Sequence, residues 1–234
     1  MGRSNDAIEK IRQLIADGEL RPGVRLPREP DLAAQLGLSR SSMREAVTAL
    51  VHAQVLDVRR GDGTYVTSLE PHRLLEGIAH AVELMQDDTL PEIFELRRLL
   101  EPQATALAAE RITPEQLARL RGHLDAMRRS ETIEELITHD AEFHACIMAA
   151  TGNRTLTSVV NGLAARALRA RTWNALNIAD ARERIMSQHQ AIYEALEAGD
   201  AALALSWATI HVTASEKDLL RTIPPADRLG PGSA

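Results

Sequence analysis

The sequence predicts a mainly α chain in two parts: a small N-terminal set of helices closed by a β-hairpin, then an all-α antiparallel helical bundle. Three observations carry this. Apolar residues recur at helical spacing along nearly the whole length, the period shifts to two only around residues 56–67, and turn residues divide the helical runs. At 234 residues the chain is longer than most single domains. The shift in pattern after the hairpin sets the expected domains at 1–68 and 69–223, with a Pro/Gly-rich tail over 224–234 expected to be disordered.

The elements follow in order. Residues 6–16 put Ile8, Ile11, Leu14 and Ile15 on one stripe, with Gly18 beyond as a stop. RPGVRLP reads as a Pro/Gly turn. The next run sets Leu32, Ala33 and Leu36 on one face and stops at Gly37. Ser39 can cap a helix from Arg40 to about Ala53, in which Met43, Ala46, Val47 and Leu50 fall at i, i+3, i+4 and i+7. Residues 56–59 and 64–67 then alternate around Arg60-Gly61-Asp62-Gly63, a hairpin pattern. Beyond Ser68 amphipathic runs cover 71–86, 91–111, 114–129, 132–151, 153–176, 180–198 and 201–222. Thr113-Pro114 opens one of them with proline at the first helical position. Thr151-Gly152-Asn153 and Gly199-Asp200 break others, and no internal repeat is visible.

Composition narrows the function. Hydrophobic residues at 44% support real cores, whereas aromatics at 3% require those cores to be aliphatic. So few rings also argue against a stacking surface for single-stranded nucleic acid. A single cysteine, Cys146, excludes an internal disulfide framework and reads as a small buried hydrophobe. The polar N-terminus has no apolar signal segment, and no apolar run approaches the roughly 20 residues that span a bilayer. The expectation is a cytoplasmic protein without a membrane partner. The net charge of −6 is unevenly spread: ten Lys/Arg face nine Asp/Glu up to Ser68, and seventeen face twenty-four thereafter. Within the first part Arg21, Arg25, Arg28, Arg40, Arg44, Arg59 and Arg60 cluster, and phosphate binding needs only such a local basic face.

Two short helices joined by Gly37-Leu38-Ser39 form a helix-turn-helix pattern. With the helix before them and the Gly-x-Gly hairpin after them, all parts of a winged helix-turn-helix with a small β-hairpin wing stand in order. The inward stripe of the second helix turns Arg40, Ser41, Arg44 and Thr48 outward. Guanidinium groups near a helix N-terminus suit phosphate contact and bidentate recognition of guanine in a major groove. The wing glycines would let backbone approach DNA closely. The plainer alternative is a set of small helices with solvated arginines.

In the second part Asp140 and His144 lie four apart and share a helix face. His189 and His211 sit in helical runs among apolar neighbours. A carboxylate and three imidazoles converging in a bundle would form a site for a divalent metal ion such as Zn²⁺, Ni²⁺ or Mn²⁺. Histidines spread over three helices carry no spacing signature, and buried, hydrogen-bonded histidine is the alternative. His139 points roughly 100° away from Asp140 on an ideal helix. His52, His72, His80 and His123 have no carboxylate in a similar context.

The segment LPREPDLAAQLGLSRSSMREAVTALVHAQVLDVRRGDGTYV resembles the N-terminal domain of GntR-type regulators over about residues 6–67. Leu26-Pro27, Glu29, Leu32-Ala33, Ser39-Arg40, Arg44-Glu45-Ala46 and Gly61-x-Gly63-Thr64 carry the likeness. It implies DNA contacts from Ser39, Arg40, Ser41, Arg44, Gly63 and Thr64, and Arg28 would supply a guanidinium in place of the DNA-contacting arginine usual at position 30. Three positions depart from the pattern. Pro30 replaces a usual arginine, Arg28 replaces a serine that would cap the helix, and Gln54 replaces a common glycine before the hairpin.

The remainder resembles the FCD effector domain of the FadR-type branch, through FELRRLLEPQATALAA, HDAEFHACI, SQHQAIYEALEAGD and ATIHV. In metal-binding members those motifs carry the ligands, which correspond here to Asp140, His144, His189 and His211. The resemblance also makes Arg97 a clamp for a ligand carboxylate; a surface position or a salt bridge with Glu95 or Glu101 is the other possibility. It thus implies a ligand-responsive regulator, a homodimer reading palindromic operator DNA and released by a small organic acid. The rival expectations are a sensor of the metal itself and a helical-bundle metalloenzyme. Against an enzyme stands the absence of HExxH, of paired Glu-x-x-His motifs and of a nucleophile-base constellation.

Overall fold

The computed structural model describes residues 3–74, 90–163 and 179–222, and the chain divides into two units, Met1–Leu74 and Leu75–Ala234. The expected disordered tail, residues 75–86 and 164–176 of two expected helical runs, and His80 lie outside the described residues.

The first unit holds α1 (Arg3–Ala16), α2 (Glu29–Leu36), α3 (Arg40–His52), β1 (Leu56–Arg59), β2 (Gly63–Val66) and the short α4 (Pro71–Leu74). Its core is aliphatic: Ala7, Ile11, Leu26, Leu32, Met43, Ala46, Val47, Leu50, Leu56 and Val66. On α1 the fully buried residues are Ala7 and Ile11, one turn apart, while Ile8, Leu14 and Ile15 flank them. The helix starts at Arg3, a turn earlier than its apolar stripe, and Ser4 hydrogen-bonds Glu45 of α3. Gly37 ends α2 in the left-handed region (φ 66°), which a residue without Cβ adopts at no steric cost.

The strands pair antiparallel with Leu56 opposite Val66 and Arg59 opposite Gly63. The segment read as a turn, RPGVRLP, proves to be part of this sheet. Gly23 N–H donates to Val66 O, Val66 N–H to Val24 O, and Leu26 N–H to Thr64 O, so residues 23–26 line β2 on its other edge. Proline and glycine masked the pairing, because it uses few residues and is nonlocal.

Gln54 sits at φ 58° just after α3, its N–H bonded to Val51 O and that of Val55 to Leu50 O. This is the helix-ending arrangement in which glycine is usual. An L-residue there costs roughly 1–2 kcal/mol, of which glycine returns roughly 0.5–1 through its freer unfolded chain. Gln54→Gly is therefore expected to stabilise the protein by about 0.5–1 kcal/mol. The urea midpoint of the full chain checks this, and a lower midpoint would contradict it.

The second unit holds α5 (Leu90–Ala109), α6 (Pro114–Arg129), α7 (Ile133–Ala150), α8 (Arg154–Leu163), α9 (Ala179–Glu197) and α10 (Ala201–Thr222). Helix α5 packs along α10, α6 against α7, and α9 against both α10 and α6. α5 runs on through Pro102. Thr113 and Gln116 close a capping box on α6, with Pro114 inside its first turn. Thr132 Oγ accepts from Glu135 N–H at 3.2 Å and so fixes where α7 begins. From that start Leu136, Asp140, Phe143, His144 and Ile147 fall on the buried side. Cys146 packs against this core, and burial pushes its thiol pKa up, as suits an inert position.

Candidate functional site

In the first unit the recognition helix α3 begins at the residues singled out for DNA. Ser39 caps it, its Oγ accepting from Ser42 N–H at 3.1 Å, a bond that contributes about 1 kcal/mol. Met43, Ala46, Val47 and Leu50 are buried, which leaves Arg40, Ser41, Arg44 and Thr48 exposed. The Arg44 side chain is 82% exposed, with Glu29 its nearest acid at 3.9 Å. Such a long, solvated contact constrains little. Ser41 Oγ donates to Glu45 at 3.2 Å, and Thr48 Oγ1 to the Arg44 carbonyl at 2.9 Å. Arg28 stands at the N-cap of α2 without a side-chain capping bond, and Pro30 occupies the first turn. The departure from serine at position 28 thus leaves that helix uncapped by a side chain and an arginine exposed.

The wing is braced from outside the hairpin. Arg25 reaches across β2, hydrogen-bonds the Asp62 carbonyl and lies 3.7 Å from the Asp62 carboxylate. A Cβ on Gly63 would stand 3.1 Å from the Arg25 guanidinium carbon. Gly63 therefore makes room for Arg25, while Gly61, at φ 76°, provides the turn. Thr64 lies half-buried on β2. Arg59 stacks on Tyr65, 4.1 Å from the ring centroid, and the Tyr65 hydroxyl donates to Asp62 at 2.8 Å. That hydrogen bond raises the Tyr65 pKa. Sequence reading counted Arg25 only as one of the basic cluster; its signal was a guanidinium one strand away from a Gly-x-Gly turn.

In the second unit Asp140, His144, His189 and His211 come from α7, α9 and α10, and all four are buried. His144 Nε2 and His189 Nε2 lie 3.1 Å apart, and Asp140 Oδ1 is 3.5 Å from the latter and 3.8 Å from the former. The His211 ring centroid stands 4.6 Å from that of His189 and 5.1 Å from that of His144. Each of the three imidazoles offers a nitrogen within 4.8 Å of the other two. A metal with Zn–N bonds of about 2.0–2.1 Å needs neighbouring donors about 2.8–3.4 Å apart for angles between octahedral and tetrahedral. The His144–His189 separation falls in that interval. The donor set, imidazoles plus one carboxylate, suits Zn²⁺, Ni²⁺ or Mn²⁺.

Sequence reading did not single out Gln188. It is buried on the same stripe of α9 as Ile185, His189 and Ile192, and its Oε1 lies 3.2 Å from His211 Nδ1. An amide at a core register beside a histidine was the available signal. His139, expected to face away, contacts His123 across the α6–α7 interface with Nδ1 atoms 3.4 Å apart. Burial lowers the His123 pKa, against a smaller raising effect from Glu142. His72 does have an acid close by, Glu70 at 3.6 Å, on the first unit's surface.

Arg97 is buried on α5 and pairs with Glu101 one turn on, Nε to Oε1 at 2.5 Å and Nη2 to Oε2 at 3.3 Å. One of the two alternatives weighed for this residue, the Glu101 salt bridge, is thus present, though inside the protein rather than at its surface. Arg98, next in sequence, instead pairs with Glu216 of α10.

A recognition helix with exposed arginines beside a braced wing defines a DNA-binding regulator as the class. Residues 3–66 match the bacterial regulatory proteins of the gntR family, and residues 92–214 match the FCD domain. The chain belongs to the GntR family of transcription regulators, in the group that carries an FCD domain, and not to a family of enzymes. It is 30% identical over 206 residues to the HTH-type transcriptional regulator LutR of Bacillus subtilis (strain 168), covering 86% of this chain and 93% of that protein. It is also 30% identical over 226 residues to the putative L-lactate dehydrogenase operon regulatory protein of Escherichia coli (strain K12), covering 92% and 87%. Among solved structures, a Streptococcus agalactiae GntR protein superposes with a TM-score of 0.69 at 27% identity, covering 92% of this chain and 99% of that one. No helix among the described residues is long and apolar enough to cross a membrane.

Proposed function

We propose that this regulator is a homodimeric cytoplasmic repressor, released from its operator by a small organic acid that binds at a divalent metal ion in the helical domain. Residues 1–68 would read DNA and residues 69–223 would sense the acid. The observation that carries the reading is the convergence of His144 and His189, Nε2 to Nε2 at 3.1 Å, with Asp140 and His211 beside them. These four residues would hold the ion, with Zn²⁺ expected in purified protein because occupancy follows metal availability as well as affinity. When bound, the ion supplies a Lewis-acidic centre with open positions for a carboxylate.

Arg97 is the proposed second anchor. Its guanidinium has five N–H donors, of which the Nε and Nη2 edge serves Glu101. The remaining donors would take the carboxylate. Arg97 also lies on α5, which packs along the helix that carries His211. A cation on a helix packed against the one that carries His211 would favour acids, and one relative's name ties that protein to an L-lactate dehydrogenase operon. A hydroxy- or keto-acid is the proposed class.

On DNA, Arg28, Ser39, Arg40, Ser41, Arg44, Gly63 and Thr64 form the proposed contact surface. Two copies would read half-sites of a palindrome about 34–36 Å apart. The acid favours one state of the dimer and so shifts the population away from the DNA-competent one, which is linkage between two sites.

Elemental analysis of the purified full chain beside an Asp140→Ala/His144→Ala double variant tests the reading, followed by operator binding with L-lactate as the first probe. The expected result is close to one ion per parent chain, none in the variant, and operator release only from metal-loaded protein. A parent that takes up no Zn²⁺, Ni²⁺ or Mn²⁺ on reloading overturns the metal site and the acid effector with it. Operator affinity that follows free metal and ignores acids makes the ion itself the signal.

A further inference from the structure

We infer that Gln188 is the positioning residue that makes His211 a metal donor, by holding its imidazole in the Nδ1–H tautomer. A neutral imidazole has one N–H and one bare nitrogen, and only the bare nitrogen can ligate. Which nitrogen is bare depends on the partner of the other. At His211, Nδ1 lies 3.2 Å from Gln188 Oε1, an oxygen that can only accept. The proton must then sit on Nδ1, and Nε2 is left with its lone pair. At His144 and His189 the nitrogens that meet are also Nε2. The Gln188 contact thus gives His211 the same donor atom as its neighbours.

Burial strengthens the argument. Gln188 lies on the core side of α9, in line with Ile185, His189 and Ile192, and is 6% exposed. His211 is 4% exposed. A buried amide between Ile185 and Ile192 carries a desolvation cost that a plain packing role would not justify. A hydrogen bond to a ligating ring is what offsets it. Histidines that bind metals characteristically give their second N–H to such an acceptor, which fixes ring orientation. A neutral amide acceptor makes the ring a weaker base than a carboxylate would, so this site is set for moderate rather than maximal affinity.

This inference rests on the metal reading of the cluster, and the two are separable by experiment. Full-length protein labelled with [¹⁵N]histidine would be prepared as parent, Gln188→Met and Gln188→Glu. Long-range ¹⁵N spectra of the metal-free proteins report the His211 tautomer, and competition with a chromophoric chelator reports Zn²⁺ affinity. The parent is expected to show Nδ1–H at His211. Gln188→Met keeps the volume but removes the acceptor; it should populate the Nε2–H tautomer and weaken Zn²⁺ binding roughly 10–100-fold. Gln188→Glu keeps the acceptor and should restore the tautomer with affinity at or above the parent's. A methionine variant with the parent's tautomer and affinity overturns the inference, as does a parent with Nε2–H. If the parent binds no Zn²⁺ yet its tautomer responds to Gln188, the metal reading alone fails.

Discussion

Replacing His189 by alanine is expected to empty the cluster of its ion, with metal content falling from near one per chain to near zero. His189 is the hub of the arrangement. It is fully buried, meets His144 at 3.1 Å and Asp140 at 3.5 Å, and its ring is the nearer of the two to His211. Loss of a direct donor should exceed the roughly 10–100-fold that a lost outer partner costs. The acid response should vanish with the ion, while operator binding in its absence persists, because the recognition helix lies in the other unit. Removing a fully buried ring that packs against Phe143 also costs on the order of 2–5 kcal/mol. His189→Phe separates the two effects: it fills the volume without a donor atom, so it should lose metal with a smaller loss of stability. Unchanged metal content in both variants would show that the ligand set is wrong.

Arg44→Ala is expected to weaken specific operator binding by about 1–3 kcal/mol, roughly 10–100-fold, the usual worth of a bidentate contact to a base. Its side chain is almost wholly solvated, so the substitution should leave the unfolding free energy within about 0.5 kcal/mol of the parent's. The salt dependence adds a diagnosis. If Arg44 reads a base, discrimination between operator and random DNA falls most. If it neutralises a phosphate, affinity falls for all sequences and the slope of log affinity against log salt drops by about one. Unchanged operator affinity would remove Arg44 from the interface.

The sequence was most informative where a local rule coincides with the final packing. Ser39 caps the helix it precedes, Thr113-Pro114 opens α6, and the i, i+3, i+4, i+7 stripe of α3 is the buried one. Asp140 and His144 share a face because four residues make about one turn. What stayed hidden depends on partners far along the chain. Residues 23–26 pair with a strand some forty positions later, His123 meets His139 across two helices, and Gln188 meets His211 across another pair. None of these contacts has a period. Arg97 was legible as a residue with a partner one turn away, but its burial came only from the packing of α5. Gln54 shows the converse: a departure from the family pattern, visible in the sequence only as a missing glycine, is a residue in a left-handed backbone conformation.

The bracing of the wing by Arg25 bears on how operator preference could be exchanged between relatives. Because residues 23–26 form the outer edge of the sheet and Arg25 occupies the space that Gly63 leaves open, the hairpin is not a self-contained module. A chimera that transplants only residues 56–66 would set a foreign tip against a resident arginine, and a side chain at position 63 would require the Arg25 guanidinium to move from its place on Asp62. The transferable unit is two pieces of chain, 21–26 together with 56–66. Engineering of this recognition surface therefore has to treat the approach to α2 and the wing as one object.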